Sequence, residues 1–441
     1  MAEPQHQPVR GFRDVLPPES ERAAALEAVA RHVFALYGFS EVRLPTLEPR
    51  ELFIKATGET TDIVEKEMFQ LEDAGGRSLA LRPEGTPGVV RAFLNRHLSQ
   101  QGGVTKLFYI GSMFRAERPQ KGRYREFGQI GVEVLGNPHP AADVEAILAH
   151  KAILDQAGLE GRTKLRLGNL GCDASRDCRP LFRERLRGFL AERAAELCDS
   201  CRRRVERNPL RALDCKEDGP KLAQDAPALE PCPECLRHVD QVSALLTHAG
   251  CEHVYPDKNL VRGLDYYTRT VFEFSAEGLG TQDAVSGGGR YDALVAAMGG
   301  PDTPAVGWAL GVERVLMAAD AAEPGAGALN AALPSRRADV FLALQSREDR
   351  AVAEGVRLLD SIRRFGIRAG CGVFTSSLKA QMREAGRQGA RLAVIIGDAE
   401  LEKDPPTCIL KDMGRGEQVE VGLSELIETV GAKLIVDKAQ D

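Results

Sequence analysis

VTKLFYIGSMFRAERPQKGRYREFGQIGVEVL, residues 104–135, is the stretch that decides the fold. Its ends, 104–113 and 127–135, are rich in the apolar and β-branched residues of strands. The charged loop RPQKGRYR (118–125) separates them, so the spacing predicts a long antiparallel hairpin. Side chains alternate along a strand, which puts Phe127, Gln129, Gly131 and Glu133 on one face, and Arg115 and Glu117 on one face in the same way. A ring, an amide, a gap and a carboxylate in a row make a lined groove. They also describe an amphipathic strand whose polar face meets water. In the groove reading, Gly131 lets a ligand approach the backbone, Phe127 stacks on a base, and Arg115 makes charge-assisted bonds to a phosphate. Arg118, Lys121, Arg123 and Arg125 in the loop suit a phosphate grip or a solvated surface equally.

Four further segments carry comparable chemistry. RGLDYYTRTVFE (262–273) sets Arg262, Asp265, Tyr266 and Tyr267 beside a strand over 270–274, a polar recognition site next to a sheet. GWALGVERV (307–315) reads as a helix, 307–319, with Gly307 and Gly311 on a thin face that Arg314 follows. Arg314 is then a rigid polyphosphate clamp, or a surface arginine on a core helix. LRPEGT (81–86) offers Glu84 and Thr86 either to an ammonium group or as caps for a helix over 87–98. SGGGRYD (286–292) reads as a glycine-rich turn entering a helix, and no GK[ST] follows it, so it is not a P-loop.

At 441 residues the chain suggests two or three domains, and 43% hydrophobic with 28% charged residues predicts a packed soluble core. There is no apolar run of about 18 residues, so no membrane span is expected. MAEPQHQPVRGFRD lacks an apolar signal core, so the cytoplasm is the expected compartment. A net charge of −6 does not announce a nucleic-acid binder. Locally, however, Arg363, Arg364, Arg368, Lys379, Arg383, Arg387 and Arg391 face one acid, Glu384, across 363–391. That stretch suits a basic face toward phosphate or a solvated helix.

Along the chain, 20–37 reads as a helix with Ser20 as N-cap, 39–49 as a strand ending in prolines, and 141–156 as a helix. A Cys- and Arg-rich, mostly helical insertion over 173–255 interrupts a sheet domain formed by 1–172 and 256–320. The Gly/Pro-rich 321–337 reads as a linker. Beyond it, strands alternate with helices over 338–441, a small α/β domain. Eight of the ten cysteines lie between Cys172 and Cys251, and a disulfide scaffold is not expected in a long chain without a secretion signal. Cys198, Cys201, Cys232 and Cys235 form two CxxC knuckles spaced for one structural zinc ion, with Cys215 as a substitute ligand; buried thiols are the plainer alternative.

Together these segments resemble the histidyl-tRNA synthetases, a family of class II aminoacyl-tRNA synthetases. RGFRDVLPPES (10–20) resembles the family's opening, FSEVRLPTLEP (39–49) its first class II motif with Pro45, the charged hairpin its second and GWALGVERV its third. LVRGLDYYTRTVFE and SGGGRYD resemble its two histidine-specific segments, and the tail after 338 its anticodon-binding domain. The resemblance implies an α+β fold: a six-stranded antiparallel catalytic sheet with flanking helices, a helical Cys-rich insertion, and an α/β anticodon-binding domain. It implies a homodimer using ATP with Mg2+, L-histidine and histidine tRNA. Arg115, Arg262 and Arg314 become the catalytic cations. Glu84, Gly85, Thr86, Arg115, Gln129, Glu133, Arg262, Tyr266 and Tyr267 become the histidine site, with Glu133 and Tyr267 bracketing the imidazole. Arg115, Glu117, Arg123, Phe127 and Arg314 become the ATP site. A relative that shares this fold, the histidine-sensing regulatory subunit of ATP phosphoribosyltransferase, is the alternative; it typically lacks catalytic arginines and the C-terminal domain.

Overall fold

The computed structural model describes residues 6–438 other than 60, 207, 214, 216, 223–224, 252, 281–282, 323–328, 330–337, 347, 373 and 375. Two compact units divide the chain at 333/334.

The first unit is built on an eight-stranded sheet. Its order is Ser40–Glu41, Thr105–Phe114, Glu126–Leu135, Ala305–Gly311, Ala284–Arg290, Thr268–Ala276, Thr163–Asn169 and Val254–Pro256. The six inner strands pair antiparallel throughout, and the two short edge strands pair parallel. The sheet is therefore mixed, with the expected antiparallel core inside it, and the fold is α+β. The hairpin stands as read, with Tyr109 opposite Gly131 and Met113 opposite Phe127.

Alternation sends Ile130, Val132, Val134, Val306, Trp308 and Leu310 into one apolar core against the Glu19–Leu36, Pro140–Leu154 and Val312–Ala322 helices. There Trp308 stacks on His150 at 4.0 Å and donates its indole N–H to the Ala146 carbonyl at 2.8 Å. The residues in between, Phe127, Gln129, Gly131 and Glu133, belong to the opposite face. The sheet thus carries a dry side and a working side, set by strand period alone.

Several local expectations need correction. GWALGVERV is not one helix: Ala305–Gly311 is a strand and the helix starts at Val312. Gly307 and Gly311 are therefore sheet residues, and Arg314 lies in the first turn after them. SGGGRYD is a strand, Ala284–Arg290, rather than a turn into a helix. FSEVRLPTLEP makes two short strands, Ser40–Glu41 and Leu47–Pro49, separated around Pro45, which cannot donate to a ladder. The first helix begins at Glu19 with Pro18, not Ser20, at its cap position.

Residues 173–255 carry the helices Arg179–Glu192, Asp199–Arg204, Leu210–Leu213, Gly219–Leu222 and Pro233–His248. Phe182, Leu186, Leu190, Leu197, Val205 and Leu222 form a small core of their own. Of 321–337, residues 321–322 end the Val312–Ala322 helix and Leu329 is buried; the rest lies outside the described residues.

The second unit has a five-stranded sheet, ordered Ala369–Cys371, Val340–Leu344, Leu392–Ile396, Thr407–Asp412 and Gln418–Gly422. Its first three strands are parallel and its last two antiparallel. The helices Asp349–Arg364 and Leu378–Arg387 form its crossovers. Its basic stretch is partly neutralised: Arg364 pairs with Asp360, Arg368 with Asp339, and Arg387 with Glu384. Two of those acids lie outside 363–391, so counting charges within the window overstates the basic face. Among the described residues, no helix is long and apolar enough to cross a membrane.

Candidate active site

A cleft opens on the working side of the large sheet. Glu84, Thr86, Arg115, Glu117, Arg123, Phe127, Gln129, Arg262, Tyr266, Tyr267 and Arg314 all line it. These eleven residues come from separate stretches of chain; strand alternation aims Phe127 and Gln129, and the others lie on loops and helix starts that adjoin the strands.

The hairpin supplies the floor. Arg115 follows the Thr105–Phe114 strand, donates Nε to the Pro83 carbonyl at 3.0 Å, and places its guanidinium 5.3 Å above the Phe127 ring. That spacing is within cation–π reach. Glu117 and Arg123 pair at 3.6 Å. Arg314 is anchored by two N–H bonds, 3.2 and 3.1 Å, to the Ala284 carbonyl of the neighbouring strand. Arg262 is held by Glu273, which Arg166 also engages. Gly287 is what allows this, because a Cβ there would lie 2.1 Å from the Arg262 guanidinium. The glycine run lets an arginine lie flat on a strand.

The opposite end is a buried network of acids and phenols. Tyr266 donates to Glu84 Oε2 at 2.9 Å; Thr86 donates to Glu133 Oε1 at 2.6 Å; Tyr291 donates to the other Glu133 oxygen. Burial pushes the Glu84 carboxyl up to about 7, opposed by the Tyr266 bond and the Arg115 charge. Burial pushes Glu133 up to about 8, opposed by its two hydroxyl donors and reinforced by nearby Glu84. Among the described residues, Glu84 Oε1 and Ser286 Oγ are buried without a hydrogen-bond partner. Orphaned acceptors on a cleft wall suit a ligand that brings N–H donors.

The cap reading of LRPEGT fails. The helix starts at Thr86 with Gly85 as N-cap, and among the described residues it has no side-chain cap bond. Glu84 and Thr86 point into the buried network instead.

Four expected placements differ. Glu133 does not line the cleft; it is 1% exposed beneath it, occupied by Thr86 and Tyr291. Gly131 does not open space for a ligand, since its Cβ position lies 2.4 Å from the Tyr109 ring, which fills the gap. Gly85 is overlaid by the same ring. Asp265 faces away from the cleft and accepts from Arg211 of the insertion at 3.2 Å.

The sequence reading missed Tyr109, Tyr291 and Glu273. Tyr109 sits directly across the hairpin from Gly131, and a large residue opposite a glycine was the available signal. Tyr291 stands inside the SGGGRYD segment, where only the glycines drew attention. Glu273 ends RGLDYYTRTVFE and shows no signal in sequence beyond its charge.

The expected single zinc site does not assemble. Cys198 and Cys201 gather with Cys215 and Asp218, whereas Cys232 and Cys235 gather with Cys172 and Cys178. The two knuckles belong to different clusters; Cys215, read as a substitute ligand, does join Cys198 and Cys201, whereas spacing along the chain could not reveal Asp218, Cys172 and Cys178.

Comparison with known proteins agrees with this geometry. Residues 11–315 match the family model described as histidyl-tRNA synthetase, and residues 339–433 match one described as an anticodon binding domain. The chain is 47% identical over 423 residues to a histidine–tRNA ligase of Elusimicrobium minutum, covering 96% of this chain and 98% of that one. It is 43% identical over 431 residues to a histidine–tRNA ligase of Nitratidesulfovibrio vulgaris, covering 97% and 98%. The crystal structure of apo S. aureus histidyl-tRNA synthetase superposes with a TM-score of 0.78 at 30% identity, covering 96% and 99%. A Bacillus halodurans protein described as an ATP phosphoribosyltransferase regulatory subunit/histidyl-tRNA synthetase shares the fold at 22% identity and a TM-score of 0.61, covering 89% and 98%. With a family model over most of its length and ligases as near full-length relatives, the chain belongs to the histidyl-tRNA synthetase family.

Proposed function

We propose that this cleft joins L-histidine to ATP as histidyl-adenylate, releasing pyrophosphate, and then passes the histidyl group to the 3′ adenosine of histidine tRNA, releasing AMP. The chain is a histidine–tRNA ligase, an aminoacyl-tRNA synthetase. One observation carries the assignment of roles: Arg115, Arg262 and Arg314 converge on the same cleft as the Glu84–Tyr266 pair and Tyr267.

The chemistry requires no protein nucleophile. The histidine carboxylate attacks the α-phosphorus itself, so the protein positions the reactants and stabilises charge. Arg115, on the floor beside Phe127, suits the α-phosphate with adenine stacked on the ring. Glu117 and Arg123 suit the nucleotide's rim, and Arg314 the outer phosphates. Arg262, fixed by Glu273, suits the charge that develops at the α-phosphorus. Glu84 Oε1 suits the substrate ammonium, with Thr86 and Gln129 adjoining. Tyr267 suits the acceptor nitrogen of a neutral imidazole. Glu133 acts from beneath, through Thr86 and Tyr291.

Mg2+ keeps much of its water and takes only one or two carboxylates besides phosphate oxygens. Glu117 and Glu273 on the cleft wall are carboxylates of that kind, which suits entry as the ATP complex. The anticodon stem suits the 338–441 domain, and 173–255 suits an insertion domain bearing on the bound tRNA. A cytoplasmic homodimer completes the proposal, and sedimentation of the purified chain checks its stoichiometry.

The regulatory alternative is not favoured. All three arginines it typically lacks line the cleft, and the C-terminal domain is there. Purified protein should show histidine-dependent ATP–pyrophosphate exchange, and should charge total tRNA with histidine out of twenty amino acids. Histidine binding without charging would instead mark a regulator.

A further inference from the structure

All ten cysteines are free thiols, and seven of them gather into two sets that the ligase reaction does not use. In the first set, Cys172 follows the Thr163–Asn169 strand, Cys178 precedes the Arg179–Glu192 helix, and Cys232 and Cys235 open the Pro233–His248 helix. Their four Sγ atoms lie within 4.8 Å of one another, with Cys172 and Cys232 at 3.8 Å. The second set joins Cys198, Cys201 and Cys215 to Asp218 within the same limit, with Cys198 and Cys215 at 3.9 Å. A disulfide would need about 2.05 Å. Tetrahedral coordination with Zn–S bonds of about 2.3 Å places ligand sulfurs about 3.8 Å apart.

The backbone is arranged for thiolates. The N–H groups of Cys172 and Cys232 both donate to Cys178 Sγ at 3.3 Å, and that of Cys201 donates to Cys198 Sγ at 3.5 Å. Asp218 is an independent pointer. It is 1% exposed, and its Oδ2 accepts the Cys198 N–H at 2.9 Å. Its Oδ1 is buried with no hydrogen-bond partner among the described residues, and the exposed Lys221 ammonium reaches only to 3.9 Å. A buried carboxylate oxygen beside three sulfurs is costly unless a cation meets it.

We propose that the insertion holds two structural zinc ions, one on Cys172, Cys178, Cys232 and Cys235, the other on Cys198, Cys201, Cys215 and Asp218. Each set offers four protein ligands, which closes the coordination sphere and leaves no position for substrate. Soft thiolates select zinc over magnesium. A polynuclear iron–sulfur cluster would hold its cysteines wider apart than 4.8 Å. The first ion clamps the neck, where the chain leaves the sheet at Cys172 and returns on the Pro233–His248 helix. The second fastens the short helices Asp199–Arg204, Leu210–Leu213 and Gly219–Leu222. Metal binding there is folding free energy for a region with a small apolar core.

The test needs no enzymatic activity, so it stands or falls apart from the ligase assignment. Full-length protein expressed in zinc-supplemented medium should contain two zinc atoms per chain by elemental analysis. Cys232→Ser and Cys215→Ser should each retain one, and the double variant none. Cobalt exchanged into the wild-type chain should give thiolate charge-transfer absorption, of which Cys215→Ser removes the smaller share. The wild-type count decides the matter even where a variant fails to fold. Fewer than two zinc atoms in the wild type, iron in their place, or a substitution that leaves both ions bound would overturn the proposal.

Discussion

The cleft and the insertion both bring distant polar side chains together, but they are held by opposite means. In the cleft, the side chains stand on strands or on short segments anchored to strands whose neighbours fix their register: Gly287 lies opposite Glu273, and Gly307 opposite Glu133. The backbone ladder positions the chemistry before any ligand arrives. In the insertion, three helices have only six, four and four residues, well below the roughly 12–15 at which a helix holds by itself. Side-chain contacts must do there what hydrogen-bonded strands do in the cleft. A reaction that depends on sub-ångström placement sits on the sheet, and the region needing external fasteners adjoins it through Arg179 and Arg211.

Substituting Arg262 gives the largest expected effect. Its guanidinium is fixed by Glu273 and lies flat on Gly287, so its role is charge placement on a rigid support. Arg262→Ala should lower kcat for histidine-dependent pyrophosphate exchange by about 10²–10³-fold, the range for losing one preorganised donor. Arg262→Lys should recover little, because an ammonium lacks the planar fork. If a cysteine substitution in the insertion matched that loss, the separation between a rigid cleft and a fastened insertion would be wrong.

Glu133→Gln comes next. Two hydroxyls donate to this buried side chain, and an amide offers them only one oxygen. Above about pH 8, where the Glu133 carboxyl is ionised and accepts both bonds, the change should cost about 1–3 kcal/mol of stability, read by denaturant unfolding, because one buried donor loses its acceptor. It should also raise KM for histidine through the displaced Thr86. Unchanged stability would mean that the network is slack.

The third effect is a pH dependence. Glu84 and Glu133 have folded pKa values of about 7 and about 8, above their ordinary 4.5. The folded chain therefore holds these protons more tightly than the unfolded chain. Their contribution to stability is fully present below about 4.5 and is lost as pH rises through 7 to 8. Histidine binding has the opposite sign, because an ammonium needs Glu84 ionised. Affinity should rise with pH up to about 7 and level off above it. Glu84→Gln should leave only the slope owed to the substrate imidazole, near pKa 6.5. Calorimetric titration of both forms across that range decides it; identical profiles would remove Glu84 from the ammonium site.

How much of this was legible in sequence follows from the same contrast. Phe127, Gln129 and Glu133 could be assigned to one face because strand period is two, and the structure keeps them there. The eleven cleft residues were readable mainly through motif resemblance, since only Phe127 and Gln129 among them stand on a strand. Gly131 misled because the side chain that fills its gap, Tyr109, comes from the facing strand, and pairing register is invisible along a single chain. Ala284–Arg290 and Ala305–Gly311 were misread for a related reason. Glycine runs carry weak strand propensity, and here they serve close approach by Arg262 and Glu133 rather than turning. Among the thiol partners Cys215 was legible as a substitute ligand, whereas Cys172 and Cys178 were not, since they lie 54 or more residues from the knuckle they join.

The smallest expected effect tests whether the two regions communicate. Two arginines cross from the insertion to the histidine-specific loop: Arg179 donates to the Tyr267 carbonyl at 2.5 Å, and Arg211 to Asp265 at 3.2 Å and to the Gly263 carbonyl. Arg211 is 4% exposed, so its bonds are made away from water and loosening them frees the loop that carries Arg262, Tyr266 and Tyr267. Arg211→Ala should therefore raise KM for histidine a few-fold while kcat for exchange stays near wild type, since Arg262 keeps Glu273. A fall in kcat as large as that of Arg262→Ala would mean that the insertion sets the reacting geometry. An unchanged KM would mean that the loop is held by the sheet alone and that the insertion serves only the tRNA.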